Sequence, residues 1–424
     1  MSVEGWEIKK IDELALVDQE TLSESTDKNF CFYYIDIGSI IEGNLLIPSN
    51  TITFKEAPSR ARKRVYFSDV LMSTVRPNLK SFVYFDRTDN NYIASTGFAV
   101  LSAKDGVDPR FILYSILSDK ITAQIESYIV GSNYPAINSN DVRNLQVLTP
   151  PFVEQQQIAN ILSTVDRAIA QTEALIAKQQ RIKTGLMQDL LTKGIDENGN
   201  IRSEETHEFK DSAIGRIPVE WDVKTLADLA EVDRGKFTHR PRNDPKFYGG
   251  DHPFIQTGDI TSHIGRIVYK YTQTLNDRGT LVSKEFPKNT IAVTIAANIA
   301  DTAILGISMF FPDSVVGVKV FKPNNTRFVE MMIRHFKPVL DGLAPQSAQK
   351  NINLEVLRPL KIPTPKPQEQ RIIGELYNSL DSSQANEELI LQKLSALKTG
   401  LMQDLLTGKV RVTPLLENSG GTAP

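Results

Sequence analysis

The chain has few cysteines and histidines, which are the common ligands of zinc, and cysteine is also the residue that forms disulfides. Its 424 residues include one cysteine, Cys31, and five histidines. A single cysteine excludes an internal disulfide and a cysteine-based zinc site, and it fits a reducing, cytoplasmic environment. The histidines lack metal-ligand spacing; they are His207, His239, His252, His263 and His335. We therefore expect no metal site.

Long apolar runs are also missing. No run approaches the roughly 20 residues that a membrane-spanning helix needs. The first ten residues, MSVEGWEIKK, contain no apolar stretch of the kind found in signal peptides. Hydrophobic residues make up 41% of the chain and charged residues 23%, which is an ordinary globular composition. We expect a folded protein without a membrane partner.

The common catalytic motifs are absent as well. The chain has no GxxxxGK[ST] loop, no GxSxG turn and no HExxH pair. The segment TPPF at 149–152 is similar to the Pro-Pro-aromatic motif of amino-methyltransferases, but Thr149 stands where those enzymes need Asp, Asn or Ser. Glu208-Phe209-Lys210 is half of a nuclease motif without its acidic partner. We predict that the chain is not an enzyme, and that it has no catalytic residue and no cofactor of its own.

The net charge of −3 is unevenly distributed. Residues 221–365 contain 19 basic and 14 acidic residues, whereas residues 1–150 contain 15 and 19. The acidic first part nevertheless has Arg60, Arg62, Lys63 and Arg64 within five positions. Because a local basic patch matters more for DNA binding than the total charge, nucleic acid remains a candidate partner.

The chain is a tandem duplication. The decapeptide KTGLMQDLLT occurs at 183–192 and again at 398–407, an offset of 215. Over 154–192 and 369–407, 17 of 39 positions are identical without a gap. The only two tryptophans, Trp6 and Trp221, have the same offset. Between these anchors the copies diverge, and Gly38 aligns with Gly258 at an offset of 220.

Each repeat ends in a sequence typical of a long amphipathic helix. Apolar residues follow alternate steps of four and three, which is a heptad seam. In the first copy the seam positions are Ile158, Leu162, Val165, Ile169, Thr172, Ile176, Gln179, Lys183, Leu186 and Leu190, and Ile161, Leu175 and Ile182 widen the stripe. The second copy has Ile373, Tyr377, Leu380, Leu391, Leu394, Leu401 and Leu405, with Gln384 and Glu387 interrupting its middle. Prolines fix the helix starts near residues 153 and 368, and a tandem repeat related by a two-fold axis predicts antiparallel packing.

These patterns predict an α+β fold: two mixed α/β recognition domains, separated by two long antiparallel coiled-coil helices with pseudo-two-fold symmetry. The expected segments are a first domain at 1–150, a helix at 151–193, a connector at 194–220, a second domain at 221–365, a helix at 366–407 and a flexible tail at 408–424. Gly185 and Gly400 lie inside the repeated decapeptide. Since a glycine within a helix costs about 1 kcal/mol, we expect a close helix crossing there, with a relic of the duplication as the alternative.

Two clusters of basic and amide side chains are the candidate DNA-binding residues, because Arg pairs with guanine and phosphate and Asn with adenine. In the first domain they are Arg60, Arg62, Lys63, Arg64, Arg76, Asn78 and Lys80, together with Asn133 and Tyr134. In the second domain they are Lys236, His239, Arg240, Arg242, Asn243 and Lys246. The alternative for each residue is a solvated surface charge.

The sequence resembles the specificity (S) subunits of type I restriction–modification systems. The similar segments in the first domain are EAPSRARKRVYFSDVLMSTVRPNLK (56–80), STGFAVL (95–101) and GSNYPAI (131–137). In the second domain they are RGKFTHRPRNDPKFYGG (234–250), PFIQTGDI (253–260) and PDSVVGV (312–318). TPPFVEQQQIANIL, KTGLMQDLLT and FKDSAIGRIPVEW (209–221) are similar to the repeated helices and to the segment that precedes the second domain. The resemblance covers nearly the whole chain, with Pro-Lys-Pro replacing Pro-Pro-Phe before the second helix.

The resemblance implies a non-catalytic DNA-binding subunit. Each domain would recognise one half of a bipartite double-stranded target, and the helices would set the spacer. Two methylation (M) subunits would dock on the helices and methylate adenine at N6 with S-adenosylmethionine. Restriction (R) subunits would add an ATP- and Mg-dependent nuclease to the full complex. We expect Gln188 and Gln403 to contact the M subunits.

Two other hypotheses remain open at this stage. One is a structural coiled-coil adaptor protein with two binding domains, which predicts no sequence-specific DNA binding even with partners present. The other is an autonomous methyltransferase, which predicts that this chain alone binds the cofactor. The sequence does not give the bases of the target.

Overall fold

The computed structural model describes residues 3–41, 43–88, 91–129, 135–296, 298–344 and 351–419. The chain divides into two compact units, one comprising Met1–Ala174 with Leu389–Pro424, and the other Leu175–Glu388. Within the described ranges no helix has both the length and the apolar character that a membrane crossing requires.

The first recognition domain is built of short strands with four short helices. Its strands are β1 (Glu7–Lys10), β2 (Ala15–Val17), β3 (Cys31–Ile35), β4 (Ile40–Ile41), β5 (Asn44–Leu45), β6 (Ile52–Thr53), β7 (Ala61–Val65), β8 (Val70–Ser73), β9 (Phe82–Tyr84), β10 (Tyr92–Ser95), β11 (Phe98–Ala103) and β12 (Gln146–Thr149). Its helices are α1 (Ile11–Leu14), α2 (Pro109–Leu117), α3 (Asp119–Tyr128) and α4 (Ser139–Asn144). α2 and α3 are separate helices, because Ser118 between them has extended backbone angles and caps the start of α3.

Two four-stranded sheets form the body of this domain. One has the order β2-β11-β8-β9 and the other β6-β3-β10-β7. Strand β1 pairs with β12, so the start of the domain is joined to the strand that precedes the first long helix, α5 (Phe152–Thr192). The buried side chains of α2 and of the first sheet lie in one cluster with Ile158 and Leu162 of α5. The domain therefore has a hydrophobic core in common with the start of its own helix.

After α5, a hairpin of β13 (Phe209–Ser212) and β14 (Gly215–Pro218) precedes the second domain. The strands of that domain are β15 (Asp222–Thr225), β16 (Ala230–Arg234), β17 (Tyr248–Phe254), β18 (Ile267–Val268), β19 (Gln273–Leu275), β20 (Lys284–Phe286), β21 (Ile291–Thr294), β22 (Thr302–Leu305), β23 (Met309–Phe311), β24 (Val315–Val320) and β25 (Lys361–Thr364). Its helices are α6 (Leu226–Leu229), α7 (Thr257–Thr261), α8 (Asp277–Val282), α9 (Thr326–His335), α10 (Lys337–Leu343) and α11 (Leu354–Leu357). The second long helix, α12 (Pro367–Leu405), and a short α13 (Thr413–Ser419) follow.

The second domain repeats the strand order of the first and adds one edge strand, β18, to one sheet. Its sheets are β16-β24-β21-β22-β18 and β19-β17-β23-β20. The strand pair β15–β25 takes the place of β1–β12. In both domains the second sheet has a central strand, β3 or β17, with one parallel and one antiparallel neighbour. The duplication seen in the helices therefore extends to the topology of the two domains.

The heptad pattern predicts which helix positions are covered. All ten seam positions of α5, from Ile158 to Leu190, are buried or half-buried, and so are the ten matching positions of α12. Leu175 and Ile182, which we expected to widen the apolar stripe, are exposed. The covered face is therefore the narrow seam of a coiled coil rather than a broad apolar face.

Within each unit the two helical segments run antiparallel. In the first unit Lys398 Nζ lies 2.6 Å from Asp166, and Arg411 binds Glu154 at 2.6 Å. Glu154 precedes Asp166 in the chain, whereas the partner of Glu154, Arg411, follows the partner of Asp166, Lys398. The two paired segments therefore run in opposite directions. In the second unit Lys183 Nζ lies 2.6 Å from Asp381. This pair is the duplicate of Asp166–Lys398, with each residue displaced by 215 positions.

The start of each long helix is held to its domain by a glutamine at the equivalent position of the repeat. Gln155 Nε2 donates to the Pro150 carbonyl at 2.9 Å, and its Oε1 accepts from the Asp108 amide at 3.1 Å. Gln370 makes the equivalent bonds to Pro365 and to the Asn325 amide, both at 2.9 Å. Asp108 and Asn325 precede α2 and α9, so this residue links each long helix to a helix of its domain.

Three expectations need correction. The connector is not featureless, because β13 and β14 pair over four residues. The tail is not flexible throughout, since Arg411 binds Glu154 and Val412 is only 1% exposed. The region around Gly185 and Gly400 is not a close crossing within this chain, because a Cβ at either position would meet no described atom within 4 Å. Polar composition concealed the hairpin, which pairs residues close in sequence, and the docked tail, which depends on a few long-range contacts.

Arg411 should stabilise the first unit. Glu154 is almost fully buried and receives two hydrogen bonds from the Arg411 guanidinium. Replacing Arg411 by Met leaves this carboxylate without its cation, and bonds to charged groups contribute about 1.5–3 kcal/mol. We expect R411M to lower the free energy of unfolding by roughly that amount in denaturant titration. The matched control is Lys409→Met, an exposed pair with Asp404, which should change stability by less than about 0.5 kcal/mol. Equal effects of the two substitutions would contradict this role.

Candidate nucleic-acid interface

The first basic cluster lies on strand β7, where alternate side chains point to opposite faces. Arg62 and Arg64 are half-buried on one face, with their guanidinium groups 5.0 Å and 5.3 Å from the rings of Phe54 and Phe30. Arg60 precedes the strand and is exposed. Stacking on aromatic rings holds the two arginines in place. Arg62 also donates to the Ala61 carbonyl at 3.0 Å and Arg64 lies 3.6 Å from Glu20, so only their remaining donors are available to phosphate or bases.

Lys63 points the other way, so the prediction that it binds DNA is not supported. Its side chain is buried, and its ammonium lies 2.7 Å from Asp18 and donates to the Phe98 carbonyl. The strand period explains the difference, because a run of basic residues on a strand places every second one inside. Lys63 stabilises the fold of the domain instead.

The other candidates of the first domain lie around a 3₁₀ turn at Pro77–Leu79. Arg76 and Asn78 are exposed. Lys80 is half-buried, donates to the Leu117 carbonyl at 2.9 Å and lies 3.6 Å from Asp119. The structure therefore separates this group from the β7 arginines by placing them on different sheets. Asn133 and Tyr134 lie outside the described residues.

The second basic cluster is a loop, from Lys236 to Lys246, joined by two aspartates. Arg240 lies 2.7 Å from Asp313, and Arg242 contacts the same carboxylate. The other aspartate, Asp244, lies 3.3 Å from His239 and 2.9 Å from Lys246. Lys236 and Asn243 are exposed. The structure thus brings all six predicted residues into one segment with an excess of positive charge.

The electrostatics of this loop follow from its contacts. The hydrogen bond from Lys246 lowers the pKa of Asp244, so the carboxylate stays ionised. Burial and the neighbouring Arg240 lower the pKa of Arg242, which marks a crowded cationic site. Asp313 already provides one anion for both arginines, and a phosphate group is the further anion that DNA could provide.

A cleft of about 260 Å³ adjoins the same loop and contains residues that the sequence did not single out. Arg242 and Asn243 line it together with Tyr248, Gln256 and Gln273. Burial raises the pKa of Tyr248, so its hydroxyl remains protonated. The available signal was the alignment of YYIDIGSI (33–40) with PFIQTGDI (253–260) at an offset of 220.

Gln188 and Gln403, the predicted docking residues, are exposed and lie at equivalent grooves. One groove, of about 340 Å³, lies between α5 and helix α9; the other, of about 210 Å³, lies between α12 and the junction of α2 and α3. Four positions of the repeated decapeptide line both grooves, namely Thr184, Met187, Gln188 and Leu191 in one, and Thr399, Met402, Gln403 and Leu406 in the other. The duplication has therefore preserved a concave surface as well as a helix.

Comparison with known proteins agrees with this geometry. The sequence profile described as "Type I restriction modification DNA specificity domain" matches residues 3–181 and 218–396, which again differ by 215. The chain belongs to the type I restriction–modification DNA specificity family. The two matched segments together span most of the chain, and each includes one recognition domain and most of one long helix.

Individual relatives extend over the same length. A putative type I restriction enzyme MjaX specificity subunit of Methanocaldococcus jannaschii is 25% identical over 421 residues, covering 96% of this chain and 94% of the relative. The crystal structure of a type I restriction–modification system S subunit from M. genitalium has a TM-score of 0.59 at 16% identity, covering 95% and 96% of the two chains. A chain from a structural study of the assembly and conformational transition of a type I R-M system has a TM-score of 0.58 at 21% identity. The match covers 96% of this chain and 99% of the other. The two structural matches establish likeness of fold.

Substitutions of Arg60 and Lys63 should distinguish a residue that contacts DNA from a residue that stabilises the fold. We expect Arg60→Ala to reduce the slope of log affinity against log salt by about one, as for a lost phosphate contact, with stability unchanged within about 0.5 kcal/mol. Lys63→Met should instead lower the free energy of unfolding by roughly 3–5 kcal/mol, because Asp18 loses its buried cation. The measurements are DNA binding of the assembled complex at several salt concentrations and denaturant titration of the chain. A stable K63M variant, or an R60A variant with an unchanged salt slope, would contradict the assignment.

Proposed function

We propose that this protein is the non-catalytic DNA-specificity subunit of a type I restriction–modification complex. Each recognition domain binds one half of a bipartite double-stranded target. The observation that supports this most strongly is the repetition of a whole DNA-specificity domain within one chain. The repeated domains keep the same strand order while their basic surfaces differ in residue type and position, as expected if they recognise different sequences.

Catalysis belongs to partner subunits in this proposal. Two M subunits bind S-adenosylmethionine and methylate adenine at N6, and R subunits bring the ATP- and Mg-dependent nuclease. The names of the relatives support this role, since each is called the specificity subunit of a type I restriction enzyme. An adenine must leave the DNA stack before it is methylated, and partners that bind beside the recognised half-sites would act on it there.

The two equivalent grooves are the proposed docking sites of the M subunits. The residues that the two grooves share, Thr184, Met187, Gln188 and Leu191 and their counterparts, all come from the repeated decapeptide. Exposed apolar residues are also repeated, with Leu175 and Ile182 on α5 matched by Ile390 and Leu397 on α12, but the helical period places them on the other flank of each helix from the groove residues. Gly185 and Gly400 are open to solvent and leave room for a partner backbone. Two copies of one surface fit two copies of one partner.

The long helices are proposed to set the spacer between the half-sites. α5 has 41 residues and α12 has 39, which gives rods of roughly 60 Å at about 1.5 Å per residue. Antiparallel segments joined by the repeated Lys–Asp pair support a rigid element. The spacer would then follow helix length rather than the bases that either domain contacts.

A methylation assay tests this function against its alternatives. Purified chain and M subunits are incubated separately and together with DNA and radiolabelled S-adenosylmethionine. The proposal expects label in DNA only when both are present. A structural adaptor predicts no sequence-dependent labelling in the mixture, and an autonomous methyltransferase predicts labelling by this chain alone.

The grooves predict the stoichiometry of the complex. We expect native mass spectrometry to show two M subunits for each copy of this chain. Gln188→Arg should obstruct one groove and leave one M subunit bound, Gln403→Arg should do the same at the other, and the double variant should bind none. Gln171→Arg, at an exposed position of α5 outside both grooves, is the matched control. A one-to-one complex of the unaltered chain at saturating partner would refute the two-groove assignment.

The helices predict the spacer. Inserting four residues after Lys178 lengthens the rod by about 6 Å, and since DNA rises about 3.4 Å per base pair, the preferred spacer should grow by about two base pairs. The four residues also rotate the helix, and two base pairs rotate the DNA by a different angle. Because the two rotations do not match, some affinity should be lost. Circular dichroism checks that the helix remains folded, because the insertion interrupts the heptads. A folded variant that keeps its original spacer would show that another element sets the distance.

A further inference from the structure

Both recognition domains have a cleft at the same place in the fold. In the first domain it adjoins the end of β3 and has a volume of about 470 Å³. In the second it adjoins the end of β17 and has a volume of about 260 Å³. β3 and β17 are the central strands of equivalent sheets, each with one parallel and one antiparallel neighbour. The two clefts are therefore related by the duplication.

Two of the positions that line the clefts correspond between the domains. Tyr34 and Asp36 line the first, and Phe254 and Gln256 line the second. The offset of 220 is the one that relates Gly38 to Gly258. An aromatic residue is thus kept at one position, whereas two residues later a carboxylate in one domain corresponds to an amide in the other.

The backbone at this variable position is fixed in the same way in both domains. The Asp36 amide donates to Ser39 Oγ at 3.2 Å, and the Gln256 amide donates to Asp259 Oδ2 at 2.8 Å. In each case the partner is the residue three positions further along the chain. The main chain at the variable position is therefore fixed from the same neighbouring position in both domains.

The side chain of Gln256 lacks a hydrogen-bond partner for its donor. Its Nε2 is buried and bonds to no described atom. A buried amide donor without an acceptor costs about 1–3 kcal/mol, so a ligand with an acceptor is favoured at this site. Gln273, Asn243 and Arg242 line the same cleft and add donors suited to base edges and phosphate.

The first cleft has complementary chemistry. Asp36 uses Oδ1 to accept from the amide and the hydroxyl of Ser39, at 3.0 and 3.1 Å. Ser39 and Asn50 also line this cleft. An ionised carboxylate only accepts hydrogen bonds, and its partner on DNA is the amino group of cytosine, whereas a glutamine amide both donates and accepts and pairs with adenine.

We propose that these clefts are the base-recognition sites of the two domains, with Asp36 and Gln256 as equivalent specificity-determining residues. The proposal rests on the function proposed above and identifies the residues that perform it. Asp36 selects a base with an exposed amino donor, and Gln256 selects adenine after its amide turns from its buried position to the base edge. The duplication keeps the cleft and the main chain while this one side chain sets which base each half-site contains.

The test compares Asp36→Asn and Gln256→Glu in the complex of the full chain with its partners. Each is selected against duplexes randomised through both half-sites, and bound sequences are counted. We expect each substitution to shift base preference at least tenfold at one position of one half-site, and to leave the other half-site unchanged. The two variants are matched controls for each other, and Asp105→Asn, at an exposed turn of the first domain, controls for loss of a charge. Thermal unfolding establishes that each variant is folded.

The outcomes separate this inference from the proposed function. If the unaltered complex selects no split motif, the proposed function fails. If it selects a split motif and both variants select the same one, the assignment of Asp36 and Gln256 is wrong. A uniform loss of affinity at all positions, or an equal change in both half-sites, contradicts it as well, because neither is expected of a residue that contacts one base.

Discussion

One ion pair, made twice, underlies the arrangement of the helices. Lys183 meets Asp381 in one unit, and Lys398 meets Asp166 in the other, both at 2.6 Å. Each pair joins one residue from each long helix, and the two pairs are exchanged by the 215-residue offset. Both pairs can form only if the paired segments of α5 and α12 run antiparallel with the same alignment of their residues. That register decides which side chains form the covered seam and leaves Gln188 and Gln403 of the grooves exposed.

The duplication also explains how each unit is closed. The first unit combines the first domain with the last part of the chain, and the second combines the second domain with the connector. Arg411 binds Glu154 in one unit, and Arg202 binds Glu369 at 2.6 Å in the other. Both carboxylates are the third residue of a long helix, where negative charge is favourable. The segment that follows each helix therefore returns to the start of the other helix.

Much of this architecture could be predicted from the sequence, because repetition and periodicity are local signals. The helix starts near 153 and 368 differ by one residue from Phe152 and Pro367, and the heptad positions are those that the structure covers. The candidate interface was predicted less well. Lys63 belongs to a basic run but is buried, because alternation on a strand turns it inward. Asp313 and Gln256 were missed, since only long-range packing brings them to the loop of Lys236 to Lys246.

The central claim of the proposed function is that one chain carries two independent recognition domains, whose half-sites are separated by a spacer of constant length. Mapping of methylated adenine across the genome of a host that carries this chain and its M subunits tests it most directly. The account predicts a split motif, with two specific half-sites, a non-specific spacer of constant length and a methylated adenine in each half. A continuous motif, or methylation that does not depend on this chain, would contradict it.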